Sequence, residues 1–132
     1  MELTSEKVVI AASKQALKTF LSNAENIQHL LPKDKVSDFK ADTNECSFKV
    51  QGGFVISLAQ NGSSEDEWYL KSGEKTPFPF KLAIKMKEVE GGTEGFIHFD
   101  GEVNMFLKMM VEKPLLQLFN YMSHKMMVYF QK

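Results

Sequence analysis

The sequence predicts an α+β domain in which an antiparallel sheet of about seven strands, apolar on one face, is covered by a long C-terminal helix. Three observations predict it. Between Val36 and Val103 apolar residues recur with a period of two, broken by regularly spaced turn signals. From Met105 to Lys132 the chain becomes strongly apolar and holds six of the eight methionines, in a run far too long for a strand. Ahead of both, a short β-prone run leads into two short segments with helical spacing.

The chain of 132 residues suits one domain, 1–132, large enough to bury a core without staples. Its composition is 43% hydrophobic and 25% charged, with a net charge of −1. That balance generates no long-range field for nucleic acid or an anionic membrane, so no nucleic-acid partner is expected. The one cysteine, Cys46, cannot form an internal disulfide. With no charged-then-apolar leader at the start, a cytoplasmic location is expected. No apolar run approaches the roughly 20 residues of a membrane span, so integral membrane association is not expected either.

In chain order, Lys7-Val8-Val9-Ile10-Ala11 is the first strand, which the polar start before it can extend. Ser13 offers a capping hydroxyl to a first helix whose apolar face is Ala16, Leu17, Phe20 and Leu21. Ser22-Asn23 breaks it, and Asn23 can cap a second helix carrying Ile27, Leu30 and Leu31. Pro32 ends that helix, because a residue before proline is pushed out of the helical region.

Five turn signals then separate six strands: Asp42-Thr43-Asn44, Gly52-Gly53, Asn61-Gly62-Ser63-Ser64, Gly73 to Pro77, and Gly91-Gly92. Short connections make the neighbours antiparallel. The predicted inner face carries Cys46, Phe48 and Val50; Phe54, Ile56 and Leu58; Trp68 and Leu70; Phe80, Leu82, Ile84 and Met86; and Ile97, Phe99 and Val103. Lysines, glutamates and small residues alternate with them, as in a sheet covered on one side. Phe96, His98, Asp100 and Glu102 fall on the outer face of the last strand.

Asn104 is the predicted cap of the C-terminal helix, and Pro114 predicts a kink within one continuous element. On a helical wheel Leu107, Met110, Val111, Leu115, Leu118, Tyr121, Met122 and Tyr129 form the broad face expected against the sheet. Met109, Leu116, Met127 and Phe130 form a second stripe. It either packs on the sheet edge or the short helices, or stays exposed as a contact for a second copy or another protein.

This order of strand, two short helices, six-stranded meander and long terminal helix resembles the START-like helix-grip superfamily, which includes birch-pollen-type allergens and polyketide cyclase/dehydrase-like proteins. The Val8-Val9-Ile10 strand, Ala16…Phe20-Leu21, Asn23…Ile27…Leu31-Pro32 and the lead-in Phe99-Asp100-Gly101-Glu102-Val103-Asn104 carry the likeness. It implies a sheet curved around the last helix, with an apolar cavity between them that binds lipids, sterols, hormones or polyketides, and in a minority of members performs chemistry.

The residues themselves point away from most chemistry. His29, His98 and His124 are isolated, whereas zinc needs three or four convergent ligands. Cys46 sits in an apolar alternation, which suits a buried structural thiol better than a nucleophile. Paired glycines between strands are hairpin turns and not a phosphate loop, so no metal or cofactor is expected. His98, Asp100 and Glu102 become an acid–base cluster of cyclase or dehydratase type only if their strand face is inverted.

The expected function is therefore non-enzymatic binding, for transport or sensing, of a small hydrophobic or lipid-like molecule. The expected contacts are Phe48, Ile56, Leu58, Trp68, Leu70, Leu82, Ile84 and Phe99 from the sheet, with Met110, Leu118 and Met122 from the helix. Trp68 can also offer its indole N–H to a ligand oxygen. Two alternatives stand beside it: a cyclase or dehydratase using His98, Asp100 or Glu102, and an interaction module with a filled core that pairs as a homodimer through the C-terminal helix.

Overall fold

A computed structural model describes residues 1–131, so Lys132, the last residue of the predicted C-terminal element, lies outside the described residues. The strands are β1 (Glu2–Thr4), β2 (Val8–Ile10), β3 (Val36–Ala41), β4 (Glu45–Val50), β5 (Val55–Ser63), β6 (Glu67–Ser72), β7 (Phe80–Val89) and β8 (Gly92–Gly101). Helix α1 (Lys14–Leu21) and a 3₁₀ helix (Ala24–Leu30) follow β2, and α2 (Met105–Tyr129) ends the chain. The strands form one antiparallel sheet in the order β1-β8-β7-β6-β5-β4-β3, with β2 also on β8. This is the predicted meander.

The predicted first strand is two short ones. Ser5 divides them: its N–H donates to the Ile97 carbonyl, and its hydroxyl oxygen accepts from the Ile97 N–H, both at 2.8 Å. A side chain thus replaces a rung of the ladder, and the next N–H, of Glu6, turns to the Asn120 carboxamide on α2. The β7–β8 hairpin needs Gly92, whose φ is +144° and whose missing Cβ leaves room for the Ile10 carbonyl. At the opposite edge the β3–β4 register shifts between Ser37 and Lys40, with Asp38 at φ 55°.

Both predicted caps form. Ser13 accepts from Ala16 N–H at 3.0 Å and Asn23 from Glu25 N–H at 3.0 Å. The last carbonyls of α1, left without helical donors, are closed by side chains, Asn26 on Phe20 and Gln60 on Leu21. Ala16, predicted inward, is exposed: α1 buries only the narrower face of Leu17, Phe20 and Leu21. The turn predicted at residues 61–64 falls later, because β5 continues through Gly62 in a bulge and reverses at Ser64–Glu67.

Helix α2 is continuous through Pro114, and Asn104 caps it by accepting from Leu107 N–H at 2.9 Å. Its buried residues are Val111, Leu115, Leu118, Phe119, Met122, Ser123 and Met126. That face is rotated from the predicted one toward Phe119 and Met126, which leaves Met110, Tyr121 and Tyr129 exposed. The helix is apolar on nearly every side, so its pattern fixes the phase of burial poorly. The second stripe divides: Phe130 packs on Phe20 at 5.5 Å, whereas Met109 is 81% exposed.

Candidate functional site

The sheet's inner face and α2 close on each other, with α2 nearest the 3₁₀ helix and the border strands β8, β1 and β2. Phe99, fully buried, has ring centroids of Phe80 at 5.2 Å, Phe119 at 5.4 Å and Phe78 at 6.4 Å. Phe48, Ile56, Leu58, Leu70, Leu82, Ile84, Phe99 and Met122 are each no more than 2% exposed and belong to this packed core. Leu118 belongs to the core too, but it also reaches a cavity. The remaining two predicted contacts are placed otherwise. Trp68 is half-buried, and its indole N–H, expected to be free for a ligand, donates to the Gln60 carboxamide at 2.9 Å. Met110, expected against the sheet, is 55% exposed. A helix of this length spans about 37 Å, but its burial begins only at Val111, so the first turns lie beyond the core.

The cavity, of about 420 Å³, lies at one end of the core. Three elements wall it. The 3₁₀ helix stops at Pro32 and turns into β3, contributing Pro32, Asp34, Lys35 and Val36. The β4–β5 hairpin contributes Val50, Gln51 and Gly52, the glycines at 52 and 53 taking φ of 106° and 91° to make the tight reversal. Helix α2 contributes Pro114, Gln117, Leu118 and Tyr121, which share one stripe by their i, i+3, i+4, i+7 spacing. The two lips are tied together where Gln51 N–H donates to the Lys35 carbonyl at 3.1 Å.

Pro32, Val36, Val50, Pro114, Leu118 and the Tyr121 ring give the hollow apolar walls; Asp34, Lys35, Gln51 and Gln117 rim it. Such a lining, with a few polar groups at the mouth, suits a small apolar molecule with one polar end. Two other hollows, of about 340 and 430 Å³, are walled mainly by charged side chains and turns and lack an apolar wall of this kind.

Of the predicted contacts, then, the cavity takes Leu118 alone. Three others that line it were read in the sequence for their backbone roles: Pro32 as a helix stop, Gly52 as a turn, Pro114 as a kink. Three chain breakers meeting at one end of the sheet are the signal that marks the site.

The acid–base candidates stand elsewhere. His98 and Asp100 pair across β7 with Ala83 and Lys81 on the sheet's outer face, and Asp100 and Glu102 are exposed. His98 Nε2 lies 3.1 Å from Glu2 Oε1, a surface pair. Cys46 is buried, and burial, assisted by the charge of Glu45, pushes its thiol up to about 12 against a weaker opposing bond from the Leu58 backbone. It is inert at neutral pH. Among the described residues no group of three or more His, Cys, Asp or Glu side chains converges as for a metal ion, and no helix is long and apolar enough to cross a membrane.

No family model matches the sequence. No curated protein matches it either. Solved structures do. The KanY protein (ms6282) superposes with a TM-score of 0.76 at 9% identity, over 100% of this chain and 98% of that one. A START superfamily protein from Mycobacterium smegmatis gives 0.65 at 13% identity over 95% and 96% of the two chains. An AHSA1-like protein from Aeromonas hydrophila gives 0.52 at 11% over 94% and 92%. Identities this low establish the fold alone, and the fold is the one the sequence resembled: an antiparallel sheet curved around a long C-terminal helix.

Proposed function

We propose, on the premise of this START-like helix-grip fold, that the chain acts as a single domain that binds a compact apolar molecule without transforming it. The site is the cavity between the middle of α2, the turn into β3 and the β4–β5 hairpin. The observation that carries the reading is the apolar hollow itself, within the roughly 300–1,000 Å³ range of small-molecule sites. At about 30 Å³ per water-sized group, 420 Å³ holds on the order of fourteen non-hydrogen atoms. That suits a bicyclic aromatic, a monoterpenoid or a medium-chain acyl group; a sterol has about twice as many and does not fit without opening the lips. Leu118 is the contact shared with the sequence reading, while Phe48, Ile56 and the other predicted contacts of the core do not line the hollow. Carrying or sensing such a molecule needs no charged catalytic group, and a single buried cysteine agrees with a cytoplasmic setting.

Native mass spectrometry before and after organic extraction tests this reading. A co-purifying small apolar mass, lost in Leu118→Trp while the circular dichroism spectrum is unchanged, is the expected result. A clean apo mass, together with unmoved Val50 and Leu118 methyl resonances on adding 2-naphthol, sinks it.

A second reading rests on the exposed start of α2. Met105, Phe106, Met109 and Met110 are 75, 71, 81 and 55% exposed, which at roughly 200 Å² per side chain leaves about 560 Å² of apolar surface. A stable dimer buries about 800 Å² per partner, so this patch supports only a weak homodimer unless neighbouring surface joins it. Sedimentation velocity of wild type against Phe106→Glu decides it: one monomeric species for both rejects the dimer.

A further inference from the structure

We infer that the first turns of α2 dock on an uncharged lipid surface, of the phosphatidylcholine type, and set the mouth of the cavity beside it. The tip holds the chain there whether or not the hollow is filled.

The helix runs out past its own core. Burial on α2 begins at Val111, so the residues from Met105 to Met110 extend about 9 Å beyond the packed part. Met105, Phe106, Met109 and Met110 among them are large, apolar and more than half exposed. At about 100° per residue they share an arc of about 140° on one side of the helix. Apolar helical side chains settle about 5–10 Å into a lipid interface, and a free tip of this length reaches that depth.

Area and charge choose lipid as the occupant. The exposed side chains leave about 560 Å² of apolar surface, short of the roughly 800 Å² per partner of a stable dimer, whereas a fluid lipid surface needs no matching outline. The charges around the tip cancel, Glu102 and Glu112 against Lys108 and Lys113, with Lys108 and Glu112 3.9 Å apart. A neutral collar of this kind gains nothing from anionic headgroups and suits zwitterionic ones. Position gives the docking its use. Phe106, Met110, Pro114 and Leu118 follow one another at i+4 as a single ridge, and exposure falls along it from 71% at Phe106 to 6% at Leu118. Pro114 and Leu118 are walls of the cavity. An apolar track therefore runs from the tip to the hollow, whose wall at Pro114 lies about 12 Å along the axis from Phe106.

Flotation of the full chain with ligand-free phosphatidylcholine vesicles tests this. Wild type should float, and Phe106→Glu and Met109→Glu should each lower the partition coefficient at least about tenfold, because a carboxylate replaces an inserted apolar side chain. Lys71→Glu, on the outer face of the sheet, changes the charge more and should float as wild type does. The circular dichroism spectrum should be the same in all three variants. Because Cys46 is buried, a polarity-sensitive thiol label goes to the exposed thiol of Met109→Cys, and its emission should shift to the blue on adding vesicles. Wild type that stays in the aqueous layer overturns the inference, and so do glutamate variants that float undiminished. A dimer that Phe106→Glu splits, with no flotation, gives the patch to a second copy instead. None of these outcomes turns on whether 2-naphthol enters the hollow.

Discussion

Phe99→Ala separates a filled interior from a hollow one. Phe99 is fully buried with three ring neighbours inside 6.5 Å, the Phe80, Phe119 and Phe78 rings at 5.2, 5.4 and 6.4 Å. Truncating a packed phenylalanine to alanine costs about 3–5 kcal/mol, and each aromatic pair adds about 0.5–1.5 kcal/mol beyond its area. With three pairs lost, the expected destabilisation is about 5 kcal/mol. Unfolding entropy at about 2.1 cal/mol/K per residue is about 0.28 kcal/mol/K for 132 residues, so the midpoint should drop by about 18 °C. Domains of this kind have only about 5–15 kcal/mol in all, so the variant is measured by urea titration with circular dichroism at low temperature, beside Phe99→Leu, which loses less volume and should fall between the two. Met110→Ala is the contrast: its side chain lies outside the core, and its effect should stay within about 0.5 kcal/mol. A loss below about 1.5 kcal/mol for Phe99→Ala would refute the reasoning. The ring would then border empty space, and the predicted central cavity would be restored.

Two further outcomes follow from local chemistry. The Cys46 thiol titrates near 12 in the fold against 9.0 ordinarily, so the unfolded chain loses its proton first as pH rises. Stability from this group is complete below about pH 9 and should fall by about 1.4 kcal/mol per unit up to about pH 12. Urea midpoints should show that slope in wild type and lack it in Cys46→Ser. At the start of α2, Asn104→Ala removes the bond to Leu107 N–H, worth about 1 kcal/mol locally. Because these turns bury little, hydrogen exchange at residues 107–110 should quicken about fivefold while the melting midpoint moves by less than about 2 °C; a shift of about 4 °C or more would mean that they fold with the core.

The sheet was legible because its physics is local. Phe80, Leu82, Ile84 and Met86 alternate with lysines and one alanine, and burial of one face requires that pattern. Ser13, Asn23 and Asn104 announced helix starts because a capping oxygen sits in sequence beside the N–H it satisfies. The burial phase of α2 was not legible. Met110 and Met126 are identical residues on one helix, about 160° apart around it, and only which side and which length of it meet the core leave one in solvent and the other fully buried. The site was harder still. Val36, Val50 and Leu118 come together from three elements, and no local period encodes which strand end faces which helical turn. Even so, three residues that shape it, Pro32, Gly52 and Pro114, stand out in the sequence because each disturbs the regular backbone pattern of its segment.

The irregular borders of the sheet bear on how the molecule behaves in a crowded solution. A strand edge with free N–H and C=O groups is a template on which another copy can stack. Here β3 is kinked by Asp38 in a left-handed conformation, and the opposite border is cut in two at Ser5, whose hydroxyl stands in for a main-chain rung. Neither border presents a long, evenly spaced ladder to an incoming strand. A protein that keeps both an apolar hollow and bare methionines at its surface thereby closes the route by which such surfaces most readily nucleate fibres.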